Sequence, residues 1–206
     1  MGAFAFVSFP NPLNPAIPVT LQVLGVFLAG IFLGPLWGGF AMALYLLAGA
    51  FGAPVFSGGS AGIGVLLGPT GGYLISYPFA AALIGAVVHG IDGLADPETV
   101  PLPRLVGGMV AGTAIIYALG ILVYWQSLDV GLVKATVGAA VVFVPVEALK
   151  IAAAVGIVLL TIVEVVFVGL FTFGLVNGWG YSPLGNMYLG GILAIIFVDL
   201  AFILLL

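Results

Sequence analysis

The chain has 206 residues, 64% of them hydrophobic and only 5% charged, with seven acids against three bases for a net charge of −4. An ordinary soluble domain carries about 25% charged residues, so water cannot be the solvent for most of this surface and the chain reads as an integral membrane protein. So few charges make neither a basic patch for nucleic acid nor an acidic tail, and the absence of cysteine with a single histidine removes disulfides, thiolate metal sites and histidine-rich metal or haem centres.

Apolar runs near or above the ~18 residues of a spanning helix recur along the chain, and the alternating ~10-residue pattern of an outer-membrane barrel is absent. The expected fold class is all-α: a polytopic membrane helix bundle of about six transmembrane helices, between five and seven, forming one transmembrane domain. Gly2 to Phe9 is apolar but too short to cross, and with no basic stretch before it no signal peptide is expected. It reads as the tail of a helix and runs into "PNPLNPAIP", whose four prolines forbid a helix there. Val19 to Leu33 and Leu36 to Ala53 are two apolar segments broken at Gly34-Pro35, a joint that suits a tight turn between short spans. "PVFSGGSAGIGVLLGPTGG", Pro54 to Gly72, reads as a loop at or inside the membrane boundary. Irregular backbone is tolerated at that depth only where protein buries it or where it lines a cavity.

A third span is expected from about Tyr73 to Val88. The segment Gly90 to Pro103 holds three of the seven acids and three prolines, and must sit in water. A fourth span covers about Leu105 to Trp125, headed by Arg104, which favours a cytoplasmic loop, and Gln126 to Lys134 is the next polar turn. Ala135 to Val176 is longer than one crossing needs, so it holds either two spans with a hidden turn or one helix projecting beyond the bilayer. Phe173 to Asn186 reads as a loop with interfacial Trp179 and Tyr181, and Met187 to Leu206 as a last span. No soluble domain and no internal repeat interrupts the series.

"FVPVEALKIAAAV", Phe143 to Val155, places two charges in one of the most hydrophobic stretches. Glu147 and Lys150, at i and i+3 of one helix, share a face and can meet. A charge near the bilayer centre costs at least ~2.5 kcal/mol on insertion scales and normally faces the bundle interior, which points to a binding or transport site; the bland reading is a buried packing pair. Pro145 is expected to break the helical ladder beside the pair. Glu164 and Asp199 have no base within a turn and read as structural, and His89, at a helix end, as a partner of the helix dipole rather than a ligand. Thr20 and Gln22 either join a polar pocket or cap their helix. The spacings Gly30-xxx-Gly34-xxx-Gly38 and Gly108-xxx-Gly112 let helices approach closely. No phosphate-binding loop, nucleophile elbow or serine–histidine pairing is present, so neither ATP hydrolysis nor a hydrolase is supported.

Taken together, "PVTLQVLGVFLAGIFLGP", "GAPVFSGGSAGIGVLLGPTGGYL" and "FVPVEALK" closely resemble the BioY family, the biotin-binding S components of energy-coupling factor (ECF) transporters, over about residues 2–158. The resemblance implies a six-helix, multi-pass subunit of the cell membrane that captures biotin from outside under a closing glycine-rich loop. It has no ATPase site of its own and works with a transmembrane coupling protein and two ATPase subunits, with biotin as transported ligand rather than cofactor. The site residues expected from the motif and the resemblance together are Glu147 and Lys150, the loop residues Gly59, Ser60 and Gly62, Thr70 and Tyr73, and Gln22. Glu147 would accept from a ureido N–H, and Lys150 would donate to the ureido carbonyl or to the carboxylate. The chain departs from the family in four places. The family's acid is usually an aspartate after Pro-Gly, here Pro145-Val146-Glu147; many members carry arginine where Ser60 stands; "GAFAFVSF" represents only the end of the family's first helix; and an apolar tail, residues 159–206, follows. Met187 to Leu206, with Gly190-xxx-Ala194, is expected to occupy the place of that first helix.

Two other readings stand beside this one. In a proton-coupled secondary carrier of a small solute, Glu147 or Glu164 takes up the proton, and a protonophore abolishes uptake. In a non-transporting structural subunit, Glu147 and Lys150 only fix helix register, and no ligand binds.

Overall fold

The computed structural model describes residues 4–5, 8–9, 17–91, 94, 100–128 and 131–176, with residues 139, 142 and 161–176 given by their backbone. The chain divides into two compact units, Met1–Val155 and Gly156–Leu206. In order, the elements are strand β1 (Ser8–Phe9), strand β2 (Val19–Thr20), α1 (Gln22–Ala50), a 3-10 turn (Ser57–Gly59), α2 (Ile63–Leu66), α3 (Gly71–His89), α4 (Leu102–Leu128), α5 (Leu132–Ala139), a second 3-10 turn (Val141–Phe143) and α6 (Val144–Val176). Among the described residues, α1, α3 and α4 are each long and apolar enough to cross a membrane. The all-α membrane bundle expected from composition is the fold observed.

α1 is not a rod. Gly34 takes φ 73° and ψ −173°, a conformation open to glycine and strained for other residues, and Pro35 follows it. Gln22 Nε2 donates to Tyr45 Oη at 2.5 Å, although the two residues would lie about 35 Å apart in a straight helix. Residues 22–33 and 35–50 therefore form a tight antiparallel hairpin, the joint between short spans expected at Gly34-Pro35. Pro35 has no N–H to offer the Ile31 carbonyl one turn back. His89 Nε2, from the last turn of α3, takes that role at 2.5 Å, and because a carbonyl only accepts, Nε2 carries the proton. His89 thus serves the fold, though by satisfying another helix's carbonyl rather than its own helix's dipole.

Small residues bring these elements together. A Cβ on Gly38 would lie 2.7 Å from the Ala29 carbonyl oxygen across the hairpin, and one on Gly30 would lie 2.7 Å from the Ala81 carbonyl oxygen on α3. Gly112 of α4 meets Ile84 of α3 in the same way. The small-residue spacings therefore serve the bundle's own packing, except that Gly34 makes the turn.

Several expected boundaries move. Val19 and Thr20 are not the start of a helix: they pair antiparallel with Ser8 and Phe9, in register Ser8↔Thr20 and Phe9↔Val19, and the helix begins at Gln22. The stretch read as a helix tail is helical at residues 4–5 but closes in this strand, because an extended pairing satisfies backbone groups on both sides of the proline-rich segment. The polar turn at Gln126 to Lys134 is narrower than expected, since α4 continues to Leu128 and α5 starts at Leu132. Between Ala135 and Val176 a short break at residues 140–143 precedes one 33-residue helix. Pro145 does not break that helix. It is the second residue of α6, where its missing N–H would have no intrahelical partner anyway and its fixed φ favours initiation. Residues 173–176, expected in a loop, are helical. The remainder of that loop, Met187 to Leu206 with its expected position, and Asp199 lie outside the described residues, as does the side chain of Glu164.

The glycine-rich segment is tied down by one aromatic ring. Phe56 is fully buried, packs edge-on against Tyr45 at 5.6 Å, and occupies the space a side chain on Gly49 would need. Gly62 N–H donates to the Gly49 carbonyl at 2.7 Å and Phe56 N–H to the Ser60 carbonyl at 3.0 Å. Gly58, Gly59 and Gly62 supply the positive φ that these turns require. The loop is thereby anchored to the returning half of the α1 hairpin.

Since the hairpin closes through backbone contact at Gly38, Gly38→Val is expected to destabilise the protein by about 1–3 kcal/mol through overpacking, read as a lowered Tm in detergent, while Gly107→Ala, within a helix and where a Cβ meets open space, does not lower Tm.

Candidate functional site

One cavity gathers residues from almost every element of the first unit and encloses about 680 Å³ of space, its mouth included. Ile17, Pro18 and Thr20 line it from the strand pair, Gln22 and Val23 from α1, and Ser57, Ser60, Val65 and Thr70 from the glycine-rich segment. Tyr73, Leu74 and Tyr77 line it from α3, Ile116 and Tyr117 from α4, Phe143 from the 3-10 turn, and Glu147 and Lys150 from α6.

The aromatic wall follows from helix periodicity. Tyr73 and Tyr77, four residues apart, share the face of α3 that meets α4. The Tyr73 ring stands edge-on to Tyr117 at 5.8 Å, and Tyr117 lies 6.2 Å from Phe143. Gly72 and Gly120 let α3 and α4 approach closely enough for this, since a Cβ on Gly120 would overlap the Tyr73 ring.

The polar centre is Glu147. Both it and Lys150 are 4% exposed. Glu147 Oε1 accepts from Lys150 Nζ at 2.7 Å and from Tyr117 Oη at 3.0 Å. Glu147 Oε2 is equally buried and has no hydrogen-bond partner among the described residues. Leaving such an acceptor unmade costs about 1–3 kcal/mol, more for a charged group. The site therefore presents a vacant acceptor beside an ammonium with further N–H groups, the complement of a ligand carrying an N–H donor next to a carbonyl.

A second polar chain runs from the cavity toward the root of the loop. Thr20 Oγ1 donates to Gln22 Oε1 at 3.0 Å, Gln22 Nε2 to Tyr45 Oη at 2.5 Å, and Tyr45 Oη to the Val55 carbonyl at 2.8 Å. Thr20 and Gln22 line the cavity and do not cap α1, which has no side-chain cap.

Of the eight residues expected at the site, Glu147, Lys150, Tyr73, Ser60, Thr70 and Gln22 surround this one cavity. Gly59 and Gly62 are not among its lining residues; they shape the loop through their backbone conformation, with φ 77° and 95°. Tyr117, Tyr77, Phe143 and Ile116 escaped the sequence reading. The i, i+4 spacing of Tyr73 and Tyr77 was a usable signal, whereas nothing local to Tyr117 marks it as the partner of an acid 30 residues away. No group of three or more potential metal ligands occurs among the described residues.

Fold and site together define a polytopic membrane helix bundle holding a loop-covered cavity around a buried ion pair. The BioY family model matches residues 1–166, and the chain belongs to the BioY family. The biotin transporter BioY of Rhodobacter capsulatus is 38% identical over 121 residues, covering 59% of this chain and 62% of that protein. The Thermotoga maritima biotin transporter BioY is 44% identical over 112 residues, 54% of this chain and 61% of that protein. That of Rhizobium etli is 36% identical over 139 residues, 65% and 72% respectively. The match thus spans about three fifths of the length of two of these relatives. A crystal structure of the S-component for biotin from an ECF-type ABC transporter superposes with a TM-score of 0.67 at 26% identity, over 76% of this chain and 84% of that one. Residues 135–206 also match a family of unknown function (DUF7318).

Lys150→Met alone strands the Glu147 carboxylate in a buried site and is expected to cost about 3–5 kcal/mol, while Glu147→Gln combined with Lys150→Met recovers most of that loss. Thermal unfolding of the two single variants and the double variant in detergent measures this coupling.

Proposed function

We propose that this chain is the membrane-embedded substrate-binding subunit that captures biotin for uptake by an ECF-type transporter of the plasma membrane. The observation that carries the reading is the vacant Glu147 Oε2 next to Lys150 in a covered, aromatic-walled cavity. Biotin's ureido group presents N–H and C=O side by side: the N–H donates to Glu147 Oε2 and the carbonyl accepts from Lys150 Nζ, so that both buried groups of the pair are satisfied at once. The fused rings lie against Tyr73, Tyr77, Tyr117 and Phe143. Ser60, Thr70 and Gln22 border the rest of the ligand, and Gly59 and Gly62 give the loop the backbone freedom to close over it. Membership of the BioY family and the names of the relatives support biotin as the ligand. The likeness to the S-component supports the mode of action, in which a transmembrane coupling protein and two ATPase subunits supply the energy and this chain performs no chemistry.

The test is equilibrium binding of labelled biotin to the purified protein in detergent. Tight, saturable binding is expected, and Lys150→Ala and Glu147→Gln each weaken it by roughly 30-fold or more, the consequence of truncating one partner of a buried charged pair. Absence of binding by the unaltered protein refutes the reading. A proton-coupled carrier would instead give uptake without ATPase partners that a protonophore abolishes.

The Thr20–Gln22–Tyr45–Val55 chain leads to a further expectation. Tyr45→Phe keeps the ring against Phe56 but removes the hydroxyl that holds the Val55 carbonyl at the root of the loop. Biotin dissociation is expected to quicken by several-fold, about the worth of one hydrogen bond of ~1 kcal/mol, and Tm to fall as well because the buried Gln22 Nε2 loses its acceptor; an unchanged dissociation rate removes the loop from the release step.

A further inference from the structure

The proposed ligand has two polar ends, a neutral ureido head and an anionic carboxylate tail, and the cavity holds too few cations to read both. The whole sequence contains three Lys and Arg side chains, Arg104, Lys134 and Lys150, and all lie within described residues. Arg104 is exposed and donates through Nε to the Val87 carbonyl at 2.5 Å. Val87 lies near the end of α3 remote from Tyr73, about 20 Å along the helix. Lys134 is exposed on α5 and does not line the cavity. The single histidine, His89, bonds the Ile31 carbonyl near that same end of α3. Lys150 alone borders the ligand space, and its charge is already met by Glu147 at 2.7 Å.

A carboxylate placed on Lys150 would sit beside the Glu147 carboxylate in a water-poor site, a like-charge approach that low dielectric makes costly. Having only acceptors, it would also leave Glu147 Oε2 unpaired. The ureido head satisfies Oε2 and Lys150 together. The head therefore takes the ion pair, and the tail is left to the neutral groups of the loop and strand pair. Three of the hydroxyls are already engaged: Ser60 Oγ donates to the Ser57 carbonyl at 2.8 Å, Ser57 Oγ lies 3.2 Å from Ser8 Oγ, and Thr20 Oγ1 is bonded to Gln22; the Thr70 hydroxyl, which also lines the cavity, is neutral and bonds a carboxylate or an amide alike.

Resting on the biotin reading above, we infer that the cavity recognises the ligand by its head and does not read the charge of its tail. Its substrate class is ureido-ring compounds carrying either a free carboxylate or a neutral, amide-capped tail.

Competition of labelled biotin by biotin, by biotinamide and by an analogue methylated on a ureido nitrogen, at low and at physiological salt, tests this on the purified chain. Biotinamide is expected to bind within about threefold of biotin at both salt concentrations, and the ureido-methylated analogue to be at least about tenfold weaker, because a hydrogen bond to a charged group is lost. Ser60→Lys, which adds a cation at the loop side of the cavity, is expected to make biotin at least about tenfold tighter than biotinamide at low salt, with the preference shrinking as salt rises. Biotin binding more than about tenfold tighter than biotinamide in the unaltered protein overturns the inference and leaves the function proposal intact. Failure of all three compounds to bind removes the function proposal and this inference with it.

Discussion

A carboxylate and an ammonium 2.7 Å apart, withdrawn from water inside a membrane bundle, set the terms for the rest of this structure. Such a pair does not stabilise a fold well, because desolvating two ions costs several kcal/mol that their mutual attraction only partly returns. Here the return is smaller still, since one oxygen of Glu147 carries both available hydrogen bonds and the other carries none. A site with this imbalance suits an incoming donor: under the proposed function, the ligand would supply the hydrogen bond that Glu147 Oε2 lacks.

Around the pair, aromatic side chains from the helices form one wall and irregular backbone forms the other. Tyr117 approaches Glu147 from α4, Tyr73 and Tyr77 from α3, and Phe143 closes the angle before α6. The opposite wall is loop and two-residue strands, held by the Phe56 anchor and the Tyr45 hydroxyl rather than by a helical ladder. A helix holds the charges, and a segment built of turns borders the cavity on the other side.

Much of this was legible in the sequence because lipid is an intolerant solvent. Composition and the lengths of the apolar runs dictated a helical membrane bundle, and Gly34-Pro35 announced a reversal because no other dipeptide so plainly removes a helical N–H and permits a positive φ. The Glu147 and Lys150 spacing put both charges on one face, and six of the eight residues expected at the site meet at one cavity. The misreadings share one cause. From the sequence Pro145 reads as a helix breaker, because a proline's effect depends on whether it lies in the first turn or the interior, and no boundary is visible in an unbroken apolar run. Val19 and Thr20 read as part of the helix that follows because apolarity marks a span without marking where its hydrogen bonding changes.

The sequence by itself determined the solvent, the helical class, the hairpin joint and the identity of the charged pair, since each follows from a residue's own chemistry or from neighbours within one turn. Only the tertiary structure decided which oxygen of Glu147 is occupied, that Tyr117 is its second donor, that His89 replaces the donor Pro35 lacks, and that Phe56 pins the loop to Gly49. These are contacts between residues 7 to 58 positions apart in the chain, such as His89 with Ile31 across 58 and Tyr117 with Glu147 across 30. Their existence depends on how helices pack, and packing is settled by small residues such as Gly38 and Gly120, whose partners no local pattern names.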